Sequence, residues 1–385
     1  MERWAIIIMK RLAQVVAALN VLVLVLLVVL KSNAGGDVAA DASAAEIDAP
    51  TAPTTAAPEP ITNAGGNADP VDTAVLPAVE AAVDQGLASA AQEDVPAAPQ
   101  EPPAFPAPWE PTANEVQAEA KTLGTAAAYG ITNYEADTSL NDLVATLPAP
   151  DPELADAMLL EVQTVHHPGM WSRGTVEYAQ LGGHLNGRIS IIVVVRQQLG
   201  FEGSSQPDRI ETRTMEVRFA QDASGTWRFE TIASGGGQPV ERPADLSPLA
   251  AAVVDHELID LPDTGVWDIY AGYIDPALLQ VMLDLADRTP YSVVVLRTGH
   301  SYNVFETNRV SRHSVGKAVD IYMLGSDLMV DSHDLSSDSY ALSEWLVMRD
   351  DIKEFGSPWR FPDAVVHTFT NEVHHDHAHI GVYGG

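Results

Sequence analysis

The feature that most constrains the fold is a long stretch with too few large apolar residues to form a core. Residues 35–112 consist mainly of Ala, Pro, Asp, Glu, Thr and Gly. Proline interrupts helices and sheets, and sparse apolar side chains cannot offset the entropy lost on folding. Between residues 32 and 120 there is no Lys or Arg, but there are 15 Asp or Glu residues, whose repulsion extends the chain. We therefore interpret residues 35–112 as an acidic linker.

An apolar run at the N-terminus predicts a membrane signal. Residues 12–30 are interrupted only by Gln14 and Asn20, and Arg3, Lys10 and Arg11 precede them. A helix of this length matches a hydrocarbon core of about 30 Å, and the basic residues favour a cytoplasmic N-terminus. The small residues at 32–34 would also suit a signal peptidase. Residues 1–34 are therefore predicted to be a single-pass anchor or a cleaved signal, with the later domains extracytoplasmic.

Charge and cysteine content exclude several classes of function. The chain has 21 Lys or Arg and 53 Asp or Glu residues, which gives a net charge of −32. A nucleic-acid partner is not expected, because phosphates need basic residues to neutralise them. The absence of cysteine excludes disulfides, Cys-ligated zinc, iron–sulfur clusters and thiol catalysis.

Residues 113–240 predict a first globular domain of the α+β class. Apolar periodicity indicates helices at residues 113–129 and 153–165, and four β-rich runs follow at residues 175–181, 187–199, 210–219 and 226–232. Helices followed by an antiparallel meander predict an α+β roll. The pattern resembles the nuclear transport factor 2-like domains of single-anchor bacterial proteins. No catalytic cluster is predicted here, and this domain is expected to act as a spacer, in oligomerisation, or in binding an envelope protein partner.

The histidines point to chemistry in the C-terminal domain, residues 255–385. Eight of the twelve histidines lie between residues 300 and 379, most of them near two short motifs at 311–320 and 372–379. A turn at Gly316 would let His313 approach Asp320, which lies on a predicted strand. Alternation along a second strand would place His375, His377 and His379 on one face. Two imidazoles and one carboxylate suit zinc and leave a fourth position for water.

These motifs resemble a family of zinc peptidases that cut peptidoglycan peptides. The pair His-x-x-Gly-x-Ala-x-Asp and Asp-His-x-His is similar to that of D-Ala-D-Ala carboxypeptidases, L-Ala-D-Glu endopeptidases and the hedgehog signalling domain. The resemblance covers about residues 260–385 and implies a Zn²⁺ cofactor held by His313, Asp320 and His379. It also implies an α+β domain with a central antiparallel sheet.

The resemblance further implies a catalytic base and a substrate-binding arginine. Family members carry the base as Glu three residues before the last ligand or as His two residues before it, which here correspond to Asp376 and His377. Glu372 and His375 remain as alternatives. Arg297, at the end of a predicted strand, matches an arginine that binds a substrate carboxylate.

We expect a membrane-anchored, extracytoplasmic zinc peptidase that hydrolyses peptide bonds of peptidoglycan stem peptides. Water activated by the metal would attack the scissile carbonyl, with His377 or Asp376 as base. The alternative is a zinc-containing module that binds the cell wall or a partner of an envelope complex without catalysis.

Overall fold

The computed structural model describes residues 100–384, which belong to one compact unit. The predicted membrane anchor or signal at residues 1–34 and most of the predicted linker lie outside the described residues. In the described part of the chain, no helix is both long enough and apolar enough to cross a bilayer.

The first lobe, residues 100–234, consists of three helices packed against a four-stranded antiparallel sheet. The helices are α1 (Ala118–Thr132), α2 (Leu140–Val144) and α3 (Ala155–Val165). The strands lie in chain order and are β1 (Met170–Leu185), β2 (Arg188–Phe201), β3 (Arg209–Gln221) and β4 (Trp227–Ser234). Both predicted helices and all four predicted strands are present, and β1 extends several residues beyond its prediction at each end.

The second lobe, residues 248–384, is built on a second sheet with helices around it. The helices are α4 (Pro248–Val254), α5 (Asp263–Tyr270), α6 (Pro276–Ala286) and α7 (Asp338–Val347). The strands are β5 (Ile259–Asp260), β6 (Tyr291–Val295), β7 (Ala318–Leu324), β8 (Asp327–Leu328), β9 (Ile352–Gly356), β10 (His367–Phe369) and β11 (Ala378–Val382). Their order is β10-β9-β11-β7-β6-β5, and β8 pairs with β7. The central pairs are antiparallel and the two outermost pairs are parallel. The structure is therefore mixed α+β, as predicted.

The two lobes share a buried layer because β2 is covered on both faces. Ile191, Val193 and Val195 point into the core under the helices of the first lobe. The alternate residues of β2 face a second cluster, formed by Tyr178, Ile192, Val194, Val294, Val295 and Tyr322. In this cluster the rings of Tyr178 and Tyr322 stack with centroids 4.3 Å apart. An uninterrupted apolar run is typical of a strand buried on both faces, so this packing fits the sequence of β2.

Gly316 sets the path of the chain between the two residues of the first histidine motif. A short 3₁₀-helix, His313–Val315, ends at Gly316, whose φ is 69°. The Gly316 N–H donates to the His313 carbonyl at 2.9 Å, and the Gly316 carbonyl accepts from Asp275 N at 2.9 Å. A Cβ at this position would lie 1.8 Å from the Tyr273 carbonyl oxygen. Only glycine fits here, and the turn directs the chain into β7.

The substitution Gly316→Ala is expected to destabilise the fold severely. Its matched control is Gly272→Ala, because Gly272 has a φ of 71° but a methyl group added there would meet no atom within 4 Å. The left-handed backbone alone costs about 1–2 kcal/mol, so the control should lose that amount. Gly316→Ala should lose about 3 kcal/mol or more. Urea unfolding of both variants measures the difference, and equal losses would contradict the steric account.

Candidate metal centre

Three side chains from different elements converge at the centre of the second sheet. His313 begins the 3₁₀-helix, Asp320 lies in β7 and His379 lies in β11. Because β11 pairs antiparallel with β7 and His379 is opposite Asp320 in the register, these two side chains meet on the same face. The turn at Gly316 brings His313 back to them. All three side chains are buried.

The donor atoms of these three residues form a small triangle. His313 Nε2 lies 3.1 Å from Asp320 Oδ1 and 3.1 Å from His379 Nδ1, and His379 Nδ1 lies 2.9 Å from Asp320 Oδ1. A tetrahedral zinc ion with bonds of about 2.0–2.2 Å separates its ligand atoms by roughly 3.3 Å. The triangle is therefore close to the size that one small metal ion requires.

Outer partners orient each imidazole so that one of its nitrogens faces the triangle. His313 Nδ1 lies 2.7 Å from the Leu296 carbonyl, which only accepts, so Nδ1 carries the hydrogen and the Nε2 lone pair faces the triangle. His379 Nε2 lies 3.4 Å from Glu354 Oε1, and its Nδ1 faces the triangle, 2.9 Å from Asp320 Oδ1. Burial alone would lower the pKa of His379, but Asp320 and Glu354 raise it to about 9, so without a metal both ring nitrogens carry a hydrogen. Burial alone would raise the pKa of Glu354, but His379 and Arg312 lower it to about 2, so this carboxylate is ionised. Such partners fix the tautomer and orientation of metal-binding histidines.

His300 is a further candidate ligand that the sequence motifs did not indicate. His300, His313 and Asp320 offer ligand atoms that lie within 4.8 Å of one another, and this group could hold a metal ion. However, the His300 ring stacks on the His313 ring with centroids 4.2 Å apart and planes 15° apart. Imidazole lone pairs lie in the ring plane, and two nearly parallel planes do not converge on one ion. We therefore consider His379 the better third ligand and His300 a packing partner of His313.

His377 lies beside the triangle and is oriented by its neighbour Asp376. His377 is buried, its Nδ1 lies 2.7 Å from Asp376 Oδ1, and its Nε2 lies 3.7 Å from Asp320 Oδ2. Since a carboxylate only accepts hydrogen bonds, Nδ1 carries the hydrogen. The Nε2 lone pair is then free on the side of the triangle, where a general base would be needed.

Asp376, the second candidate base, lies behind His377 rather than in the cavity. Its Oδ2 accepts from the backbone N–H of Leu181 at 2.7 Å and from Lys121 Nζ at 2.7 Å. Its Oδ1 accepts from His377. Burial alone would raise the pKa of Asp376, but Lys121 and His377 lower it, so it is an ionised acceptor. Because both oxygens of Asp376 are engaged, this placement favours His377 over Asp376 as the base.

Lys121, from α1 of the first lobe, provides the charge that balances Asp376. It is fully buried and pairs with both Asp376 and Glu115. Burial alone would lower the pKa of Lys121, but the two carboxylates raise it, so the ammonium group stays charged. The ammonium group thus joins one carboxylate of each lobe in a single buried cluster.

A cavity of about 380 Å³ lies over the triangle and is open between the lobes. The first lobe contributes the C-terminal part of β1, with Gln180, Gly182, Gly183, His184 and Leu185. The second lobe contributes the candidate ligands His313, Asp320 and His379 together with His300, His374, His377, Arg309, Arg312 and Glu354. The first lobe, in which no catalytic cluster was predicted, thus forms one wall of the cavity through β1.

Arg297, the predicted substrate-binding residue, is not among the described residues that line the cavity. Its guanidinium lies 4.0 Å from the Tyr273 ring centroid, and its Nε donates to the Ser314 carbonyl at 3.2 Å. Its backbone N–H donates to Asp268 Oδ2 at 3.1 Å, and this hydrogen bond fixes the course of the chain after β6. The arginines among the described residues that line the cavity are Arg309 and Arg312. Arg312 pairs with Glu354 at 3.5 Å, whereas exposed Arg309 forms no ion pair with any other described residue.

The two remaining candidate bases also lie elsewhere. Glu372 accepts from Gln117 Nε2 at 2.5 Å and pairs with His184 at 2.9 Å. The His375 carbonyl accepts from His333 Nε2 at 2.8 Å. Neither residue is among those described as lining the cavity. Of the four candidate bases, His377 alone is brought to the triangle.

Comparisons of the chain with models of protein families, with curated proteins and with solved structures found no match.

Loss of the buried Lys121 charge is expected to destabilise the protein strongly. Breaking a buried ion pair by removing one partner costs about 3–5 kcal/mol, because the other charge stays buried. Lys121→Met should therefore lose that amount in urea unfolding. The matched control is Lys317→Met, since Lys317 is partly exposed and pairs with Asp275 at 3.5 Å. The control should lose less than about 1 kcal/mol, and a similarly small loss for Lys121→Met would refute the role of this pair.

Proposed function

We propose that the chain is a zinc-dependent peptidase, with zinc held by His313 Nε2, Asp320 Oδ1 and His379 Nδ1. Supporting this proposal, two imidazole nitrogens and one carboxylate oxygen form a buried triangle of the right size, and a cavity gives access to it. Three protein ligands with one open position are typical of catalytic zinc sites. When bound, zinc supplies Lewis acidity that acidifies water and polarises a carbonyl.

The observation that carries the catalytic proposal is the position of His377. Its Nε2 faces the triangle while Asp376 holds its Nδ1, so the imidazole can accept a proton at Nε2 without rotating. The His377 imidazolium formed would be stabilised by Asp376, and it could return the proton to the leaving amine. This is the work of a general base followed by a general acid.

We propose peptide stems of peptidoglycan as the substrate, on the strength of the motif resemblance. Arg309 also supports the proposal, because this exposed residue lines the cavity and forms no ion pair with any other described residue. Such a group can bind a carboxylate of the substrate with two parallel hydrogen bonds. An exported, membrane-tethered chain would meet this substrate outside the cell, and the acidic linker would give it reach.

A zinc module without catalysis is the second candidate, and His300 is the observation that favours it. If His300 rotated to complete the coordination, four protein ligands would close the site. Closed sites of this kind are structural rather than catalytic. The chain would then bind the cell wall or an envelope partner without cutting it.

Two substitutions separate metal binding from catalysis. His379→Ala removes a ligand and should abolish both bound zinc and peptide cleavage. His377→Gln should retain about one zinc per chain but lose about 10²–10⁴-fold in kcat, the usual contribution of a general base. The measurements are elemental analysis and mass spectrometry of peptidoglycan fragments after incubation with the full chain.

His256→Gln is the control, because His256 lies outside the cavity lining, and it should leave zinc and cleavage unchanged. Zinc without fragments from the unsubstituted chain would favour the binding module. Near-normal turnover of His377→Gln would show that His377 is not the base.

A further inference from the structure

One side chain of the first lobe reaches the proposed ligand Asp320. Gln180 lies in β1, is 1% exposed, and its Nε2 donates to Asp320 Oδ2 at 2.7 Å. A carboxylate only accepts hydrogen bonds, so the amide must present its nitrogen, and the orientation of the Gln180 amide is settled by its partner. Among the described residues, Gln180 Oε1 has no hydrogen-bond partner. The contact to Asp320 is therefore the one described polar contact of this buried side chain.

The contact determines which oxygen of Asp320 faces the metal position. Oδ2 is bound by Gln180, whereas Oδ1 lies 3.1 Å from His313 Nε2 and 2.9 Å from His379 Nδ1. A carboxylate that is free to rotate would exchange its two oxygens and would be poorly ordered as a ligand. With Oδ2 held, Oδ1 stays in the triangle.

The strand that carries Gln180 is itself held firmly against the second lobe. The Tyr178 hydroxyl donates to the Asp376 carbonyl, and the Leu181 N–H donates to Asp376 Oδ2 at 2.7 Å. The stacking of Tyr178 on Tyr322 fixes β1 beside β7, the strand of Asp320. Gln180 thus lies between two anchored neighbours and cannot easily withdraw.

We propose that Gln180 is a positioning residue for the metal site, so that the first lobe is part of that site rather than a spacer. This inference rests on the proposed metal site and goes beyond it, since the motif resemblance covers only the second lobe. Partners that hold a metal ligand from outside typically contribute about 10–100-fold to metal affinity. Removing the Gln180 amide should therefore weaken zinc binding without removing any ligand.

The test compares two buried glutamines of the same sheet. Gln180→Met keeps the size and apolar stem but removes the donor, and its zinc Kd, measured on the full chain by competition with a chromogenic chelator, should rise about 10–100-fold. The control is Gln197→Met in β2. Gln197 is also fully buried, and its Nε2 donates to the Val165 carbonyl and Ser172 Oγ, each at 2.9 Å, away from the cavity. This control should leave the zinc Kd unchanged.

The test distinguishes failure of the proposed metal site from failure of the proposed role of Gln180. If the unsubstituted chain binds no zinc, the metal site itself is refuted, and this inference with it. The positioning role is refuted if the unsubstituted chain and Gln180→Met bind zinc equally well. It is also refuted if Gln180→Met and Gln197→Met raise the zinc Kd by the same factor. Should Gln180→Met fail to fold, Gln180→Asn replaces it, since its amide is one methylene too short to reach Asp320 and the same loss of affinity is expected.

Discussion

The arrangement around the cavity depends on burying two carboxylates, Asp320 and Asp376, where the lobes meet. Taking a carboxylate out of water is costly unless charges and hydrogen bonds replace the lost solvent. For Asp376 the replacement comes from Lys121, the Leu181 N–H and His377. For Asp320 it comes from Gln180 and two histidines. Each carboxylate is stabilised by both lobes, so neither lobe alone presents a satisfied site.

The two carboxylates have different chemical consequences because their partners differ. Asp376 faces an ammonium group and an imidazole N–H, so its charge is neutralised and it orients His377. Asp320 Oδ1 instead faces two imidazole nitrogens, and Asp320 and Glu354 outweigh burial and raise the pKa of His379 to about 9. Burial lowers the pKa of neighbouring His300 to about 3, which keeps that ring neutral beside the triangle. A metal cation that binds in the triangle must therefore displace the proton that His379 carries.

Much of the fold could be predicted from local sequence patterns, because strands and helices depend on near neighbours. The β-branched runs of β1 to β4 and the turn at Gly316 are examples. The approach of His313 to Asp320 was also accessible, since the turn and strand alternation place them, whereas the choice of His379 as their partner was implied by the motif resemblance. The roles of Gln180 and Lys121 could not be predicted, because no local pattern marks them. Gln180 lies 140 residues before Asp320, and Lys121 lies 255 residues before Asp376. The one available sign that the lobes pack together was that both faces of β2 carry apolar side chains. Arg297 was expected at the substrate but is not among the described residues that line the cavity. The position of a residue in a predicted strand does not show where its side chain points after the strand ends.

The central claim is that one metal ion binds His313, Asp320 and His379 and leaves a position open. Anomalous diffraction at the zinc absorption edge, from crystals of the zinc-treated protein, tests it most directly. We predict a single peak within about 2.0–2.2 Å of His313 Nε2, Asp320 Oδ1 and His379 Nδ1, with His300 still stacked on His313. The absence of a peak there, or a peak whose four ligands include His300, would contradict the account.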